Sequence, residues 1–134
     1  MSITRGWKEA DLIQWLKQNL YPDLVKAKNP MSRWDCYSPS EGHRIELKCR
    51  RKHYDTLLIE RGKYEAVVAE SSKHLDIPIF IVSTPEGIYS FNLLQVTFNW
   101  EVNNRNPRTT EFGGSERVTK EVSYMNVKEA TKLL

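Results

Sequence analysis

The amino-acid sequence predicts an α/β fold in which a mixed central sheet is flanked by helices. Apolar residues recur with helical spacing in two segments, residues 7–20 and 60–75. The other segments show strand patterns. Apolar and charged residues alternate at 45–49, whereas 77–82 is a continuous apolar run rich in β-branched residues. The predicted order of elements is αβββαββ, followed by a C-terminal extension.

Each predicted helix carries one apolar face. The apolar positions of the first helix are Leu12, Ile13, Trp15, Leu16 and Leu20. Those of the second helix are Tyr64, Val67, Val68 and Leu75. Pro22 follows the first pattern and ends it, because proline cannot continue a helix.

Between the helices, the sequence predicts a meander of three strands at residues 33–37, 45–49 and 53–58. Residues 38–42, Ser-Pro-Ser-Glu-Gly, favour a turn between the first two strands. A hairpin of this kind places residues near the end of one strand beside residues of the other.

After the second helix, the apolar run at 77–82 is expected to be covered on both faces, and 88–93 alternates as an edge strand should. In the extension we expect a short strand at 117–124 and a helix at 127–134. Asn126 is a suitable N-cap for that helix.

Length and composition predict one domain, with a core at about residues 5–95 and an extension at about 96–134. The 134 residues are 40% hydrophobic and 28% charged, as in a globular protein. Cys36 and Cys49 are expected to be buried free thiols of a reducing cytoplasm. The polar N-terminus and the lack of a long apolar run predict a cytoplasmic protein without a membrane partner.

The residues that point to chemistry are Asp35 and the tripeptide Glu46-Leu47-Lys48. Strand alternation places Glu46 and Lys48 on one face, and the predicted hairpin brings Asp35 beside Glu46. Two carboxylates with a neighbouring ammonium suit Mg²⁺ bound together with a phosphate. On its own, the tripeptide equally describes an ordinary surface strand with a weak ion pair.

A basic run follows the tripeptide at once. Arg50, Arg51 and Lys52 have no obvious structural partner, and we expect them to contact phosphates. A solvated surface is the alternative interpretation of such a run. The formal net charge of the whole chain is only +3, so the clustering of the basic residues carries this expectation.

The pattern of Asp35 with Glu46-x-Lys48 resembles the PD-(D/E)XK nuclease superfamily, in particular small phage-type and Holliday-junction-resolvase-like nucleases. The resemblance implies a restriction-endonuclease-like core and a site for Mg²⁺, with Mn²⁺ as a substitute. By resemblance, Asp35, Glu46 and the backbone carbonyl of Leu47 would ligate the ion, and Lys48 would orient the attacking water. The chain departs from the family pattern at Trp34, where the motif often has proline.

The same resemblance suggests further site residues. The first helix of such resolvases supplies an additional acidic residue, for which Glu9 is the candidate and Asp11 the rival; either would also favour a helix N-terminus electrostatically. The helix after the Glu-x-Lys strand faces the site, so Lys63 and Tyr64 are candidates for nucleic-acid binding. The alternative places Tyr64 in the core and Lys63 in solvent.

The extension contributes weaker candidates for DNA contact. Lys120 lies on the predicted strand at 117–124, and Trp100, Arg105 and Arg108 lie in a polar, turn-rich segment. An aromatic ring with cations suits a nucleic-acid backbone or a stacked base. A simple surface loop is the more ordinary interpretation of any one of these residues.

The sequence therefore predicts a metal-dependent endonuclease that hydrolyses DNA phosphodiester bonds, with branched or junction DNA among its substrates. The alternative is a catalytically silent nucleic-acid-binding module of the same fold. A resolvase cuts two symmetry-related strands and is expected to be a homodimer, whereas a trimming nuclease works as a monomer. If the chain is phage-encoded, it would act in the host cytoplasm.

Overall fold

The computed structural model describes residues 2–107 and 117–134. Its two helices are α1 (Glu9–Asn19) and α2 (Arg61–His74). The strands that precede α2 are β1 (Val25–Lys26), β2 (Cys36–Ser38), β3 (His43–Cys49) and β4 (Thr56–Glu60). Those that follow it are β5 (Ile77–Thr84), β6 (Gly87–Asn92), β7 (Glu101–Pro107), β8 (Arg117–Asn126) and β9 (Thr131–Lys132).

The larger sheet has six strands in the order β1-β2-β3-β5-β6-β9. Strands β3 and β5 are parallel, and the other neighbours are antiparallel. The predicted hairpin forms: Cys36 of β2 lies opposite Ile45 of β3. Just before β2, the backbone N–H of Asp35 donates to the carbonyl of Ile45 at 3.0 Å. The α/β class with a mixed sheet is confirmed.

The third strand of the predicted meander, residues 53–58, is placed differently in the structure. Residues Thr56–Glu60 form β4, which belongs to a separate three-stranded sheet in the order β4-β8-β7. The physical reason is that a strand has only two edges for hydrogen bonding. Those of β3 are taken by β2 and β5. The chain therefore turns away after Cys49, and Leu57 pairs with Met125 of β8.

The predicted C-terminal helix, residues 127–134, is also wrong. Only a short 3-10 helix forms, Val127–Glu129, although Asn126 caps it as expected by accepting the backbone N–H of Lys128 at 2.9 Å. The last residues instead add β9 to the edge of β6, where the backbone N–H of Leu133 donates to the carbonyl of Ile88 at 2.8 Å. Pairing with an open sheet edge overrides the local helical preference.

The main sheet separates two hydrophobic clusters. One contains Leu12 and Leu16 of α1 with Ile45 and Leu47 of β3. The other contains Phe80 and Val82 of β5 with buried residues of α2, β4 and β8. Because side chains alternate along a strand, Glu46 lies on the face opposite Ile45 and Leu47. The fold thus directs Glu46 towards the side on which α2 and β4 pack.

The remaining expectations from composition concern thiols and membranes. Cys36 is a buried free thiol as expected, while Cys49 is a half-buried free thiol. Within residues 2–107 and 117–134, no helix has the length and apolar character needed to span a membrane.

Candidate active site

Asp35 and Glu46 lie together at one open cavity of about 190 Å³. The Asp35 carboxylate is fixed by the backbone, because its Oδ2 accepts the N–H of Leu47 at 2.7 Å. We call this space the acidic cavity. It is lined by Glu9, Asp35, Glu46, Leu47, Lys48, Arg50, Leu58, Ile59, Glu60, Lys63 and Phe80.

Glu46 is a carboxyl group in a poor environment for a negative charge. The residue is only 6% exposed, and its Oε1 atom is buried without a hydrogen-bond partner. Burial and the negative charge of Asp35 raise the pKa of Glu46 to about 9. The ammonium of Lys63, with Nζ 3.7 Å from Oε2, lowers the pKa of Glu46 and offsets only part of this rise. A buried acceptor without a hydrogen-bond partner destabilises the protein, so a cation or a proton bound at Oε1 would be stabilising.

Glu9 and Asp11, the two acidic candidates of α1, lie in different surroundings. Glu9 lines the acidic cavity, where burial and the charge of Asp35 raise the pKa of its carboxyl. Asp11 is exposed, and its Oδ2 accepts the backbone N–H of Lys8 at 2.8 Å, which stabilises the start of the helix. Glu9 is therefore the acidic residue that α1 presents to the cavity.

Lys48 reaches the same cavity from β3, two residues beyond Glu46. Its side chain is half-buried, and burial together with Arg50 lowers the pKa of the ammonium. The carboxylates of Glu60 and Glu46 act in the opposite direction. Such an environment holds a compact cation close to the carboxylates and gives its proton a lower pKa than that of an ordinary lysine.

The basic run divides into one partly buried arginine and two exposed residues. Contrary to expectation, Arg50 has a structural partner: its Nη2 donates to the carbonyl of Leu58 at 3.1 Å, and the side chain forms a wall of the acidic cavity. Arg51 and Lys52 are exposed. That these two residues contact phosphate stays a prediction, and their exposure is compatible with it.

The two candidates on α2 have different surroundings. Lys63 lies at the acidic cavity, with Nζ near Glu46 as described above. Tyr64 is half-buried and packs on the second hydrophobic cluster, with its ring centroid 4.5 Å from that of Phe98 and 5.4 Å from that of Trp100. The alternative interpretation of Tyr64 as a packing residue fits this structure, whereas Lys63 is placed to act at the cavity.

Of the candidates in the extension, Lys120 and Trp100 do not line the acidic cavity. Lys120 forms an ion pair with Glu60, with Nζ 2.6 Å from Oε1. Trp100 stacks on Phe98 at a centroid distance of 5.1 Å, and both pack against the second hydrophobic cluster. The side chain of Arg105 and the whole of Arg108 lie outside the described residues.

Sequence reasoning missed four residues of the acidic cavity, namely Leu58, Ile59, Glu60 and Phe80. Phe80 lies opposite Glu46 in the parallel register of β3 and β5, and Glu60 ends β4 beside the start of α2. Neither has a local signal, because both positions follow from long-range strand pairing. Glu60 is relevant to the electrostatics, since it pairs with Lys120 and favours the charged form of Lys48.

The donor set of the cavity fits a hard divalent cation. Among the residues that the structure describes, no group of three or more His, Cys, Asp or Glu side chains is arranged to hold a metal ion. A site made of two carboxylates and a backbone carbonyl would not form such a group. Oxygen donors are those that Mg²⁺ prefers, and Oε1 of Glu46 is a buried acceptor without a partner. Asp35 and Glu46 therefore fit Mg²⁺, with Leu47 as the source of the carbonyl.

No protein-family model matches this sequence, and no curated protein is significantly similar to it. A solved structure is similar to the chain: that of Hjc, a Holliday junction resolvase from the archaeal hyperthermophile Archaeoglobus fulgidus. The TM-score is 0.58 at 13% sequence identity, over 93% of this chain and 88% of the archaeal chain. The two proteins share a fold. The restriction-endonuclease-like architecture expected from the sequence is thereby confirmed.

Proposed function

We propose that this protein is a metal-dependent endonuclease that hydrolyses DNA phosphodiester bonds, with branched DNA such as a four-way junction as substrate. The observation that carries the proposal is the buried, unpartnered Oε1 of Glu46 beside Asp35 and Lys48 in an open cavity. The fold shared with a junction resolvase supports the choice of DNA.

Asp35 and Glu46 would hold Mg²⁺, with the carbonyl of Leu47 as a third oxygen. When bound, the ion supplies a water of lowered pKa and neutralises charge on the phosphate. Glu46 has a pKa of about 9 without metal, so it carries a proton at neutral pH and must release that proton to become a ligand. The hydrogen bond from the Leu47 N–H keeps the Asp35 carboxylate aimed into the cavity during this exchange.

Lys48 would act on the reacting groups. Its ammonium lies on the same strand face as Glu46 and within the same cavity. There it can orient the attacking water and stabilise the negative charge that develops on the phosphate. Glu9 adds negative charge on the α1 side and would help to hold water around the ion. Lys63 is free to turn from Glu46 to a phosphate oxygen once a cation takes its place.

The substrate is tested with a panel of linear, nicked, forked and four-way DNA, each with Mg²⁺, Mn²⁺, Ca²⁺ or excess chelator. We expect cleavage with Mg²⁺ and Mn²⁺, binding without turnover with Ca²⁺, and no cleavage with chelator. Full activity in chelator would contradict the two-carboxylate mechanism. Binding without cleavage of any substrate would instead support the silent module.

Two symmetry-related cuts in a junction require two active sites, so we expect a homodimer on the four-way substrate. Sedimentation of the protein alone and with the junction measures this directly. A single copy bound to a junction that is nevertheless cut in both strands would contradict the expectation. Acting on DNA, the protein would work in the cytoplasm, that of the host cell if the chain is phage-encoded.

A further inference from the structure

A second cavity lies directly beside the acidic cavity. Its volume is about 290 Å³, and it shares Arg50 and Leu58 with the acidic cavity. We call it the aromatic cavity. Its lining residues are Arg50, Tyr54, Thr56, Leu57, Leu58 and Tyr124.

The aromatic cavity follows from the alternation of β4 and β8. Leu57 and Met125 are paired and buried in the second hydrophobic cluster. The next pair, Leu58 and Tyr124, therefore points to the opposite face of this small sheet. Tyr124 is 43% exposed there, and Tyr54 from the preceding loop is 61% exposed. Two large aromatic rings are thus left in contact with solvent at one side of the proposed catalytic centre.

Hydrogen bonds position two side chains of the aromatic cavity, those of Arg50 and Tyr124. The guanidinium of Arg50 is tied to the carbonyl of Leu58, which fixes the partition between the two cavities. The Tyr124 hydroxyl accepts from the side-chain amide of Asn103 at 3.4 Å. A side chain that is already positioned loses less conformational entropy when the cavity takes a ligand.

We propose that the aromatic cavity binds one unpaired nucleobase of the DNA strand, adjacent to the phosphate that is cut. This inference rests on the proposed function. Largely apolar walls that include two tyrosine rings suit base stacking, which tolerates any base. Arg51 and Lys52 lie in the chain between Arg50 and Tyr54 and are exposed, so they can contact the phosphates on either side of that base.

The size and position of the aromatic cavity favour a base over a larger occupant. At about 290 Å³, it lies at the lower limit of small-molecule sites, roughly 300 Å³. It shares Arg50 and Leu58 with a cavity whose donors suit a metal and a phosphate, and a phosphate is the neighbour that a base has within a nucleotide. A base inside an intact duplex is paired and stacked and cannot enter. The cavity would therefore select DNA with unpaired nucleotides, as at forks and junctions.

The test measures DNA affinity in excess chelator, so that it does not depend on cleavage. Tyr54→Ala and Tyr124→Ala are compared with Tyr54→Phe and Tyr124→Phe on a blunt duplex and on a fork of equal length. We expect each alanine variant to lose about tenfold in affinity for the fork and less than about twofold for the duplex, because one stacking partner is removed. The phenylalanine variants should keep the parental affinity, since phenylalanine retains the ring.

A second measurement locates the base. A fork that carries the fluorescent base 2-aminopurine at successive positions should show quenching by the parent protein at one unpaired position. That quenching should be lost in Tyr54→Ala. If Tyr54→Ala and Tyr124→Ala are both folded and both bind the fork with parental affinity, the proposal is overturned.

Other outcomes separate this inference from the proposed function. If the alanine variants lose fork affinity but the parent cuts no DNA, the base site stands and the endonuclease is wrong. If the parent cuts with Mg²⁺ and the tyrosines have no effect, only the base site is wrong. If sedimentation shows that Tyr54→Ala dissociates a dimer of the free protein, the occupant is a second copy, and the proposal is overturned.

Discussion

Replacing Glu46 with glutamine should stabilise the metal-free protein at neutral pH. Glu46 is 6% exposed, and its pKa is raised to about 9 by burial and by Asp35. Between the ordinary pKa of 4.5 and about 9, the folded state keeps a proton that the unfolded state has released. Stability in this range falls as pH rises, because the unfolded state binds fewer protons. Glutamine is neutral at every pH and removes this loss.

The magnitude follows from the difference between the two pKa values. One pKa unit corresponds to about 1.4 kcal/mol, and pH 7 lies about 2.5 units above the ordinary carboxyl value, so the loss at pH 7 is about 3 kcal/mol. The residue is too buried for solvent to screen much of this. Glutamine should therefore raise the free energy of unfolding by about 2–3 kcal/mol at pH 7 and by almost nothing at pH 4.5.

The assay is urea unfolding in chelator, followed by tryptophan fluorescence, for the parent and Glu46→Gln at several pH values. The matched control is Glu121→Gln, because Glu121 is an exposed carboxyl that pairs with Arg61 at the surface. It should shift stability by less than about 1 kcal/mol at any pH. A Glu46→Gln variant that is less stable than the parent at pH 7, or a difference that does not change with pH, would refute the reasoning.

Two further predictions concern the basic run and the sheet edge. Neutralising Arg51 and Lys52 should weaken binding equally on all DNA sequences. It should also reduce the slope of log affinity against log salt concentration by up to about one unit per residue. An unchanged slope would show that the two residues are only a solvated surface. Gly87→Ala should lower the thermal midpoint, because φ is +145° and a Cβ would lie 2.0 Å from the carbonyl oxygen of Leu134. Gly62→Ala, with nothing within 4 Å, is the control and should be neutral or stabilising by up to about 1 kcal/mol; equal midpoints for the two variants would contradict the clash.

Local patterns were sufficient to predict the part of the site that β2 and β3 carry. A short turn fixes the hairpin, and alternation fixes the shared face of Glu46 and Lys48, so both follow from residues close in sequence. The structure brings Asp35, Glu46 and Lys48 to one cavity as expected. Their catalytic roles stay predictions.

Features that depend on pairing between distant strands could not be predicted from the sequence. Residues 53–58 have the pattern of a strand, but the pattern does not show that the strand, β4, pairs with β8. In place of the helix expected at 127–134, the last residues form a strand that pairs with β6, and local helix propensity does not predict such pairing. Likewise, Glu9 and Asp11 lie in the same helical turn, and only packing shows which of them faces the carboxylates.

The most direct test of the central claim is single-turnover cleavage of a four-way junction in Mg²⁺ by Lys48→Ala, with Lys128→Ala as the control. Lys128 is an exposed lysine of the 3-10 helix that lines neither cavity. Lys48→Ala should remain folded, bind the junction and the metal nearly as the parent does, and lose at least about 10²-fold in rate, since it lacks a charge needed mainly in the transition state. Lys128→Ala should cut at the parental rate. A folded Lys48→Ala protein that cuts as fast as the parent would contradict the assignment of this cavity as the active site.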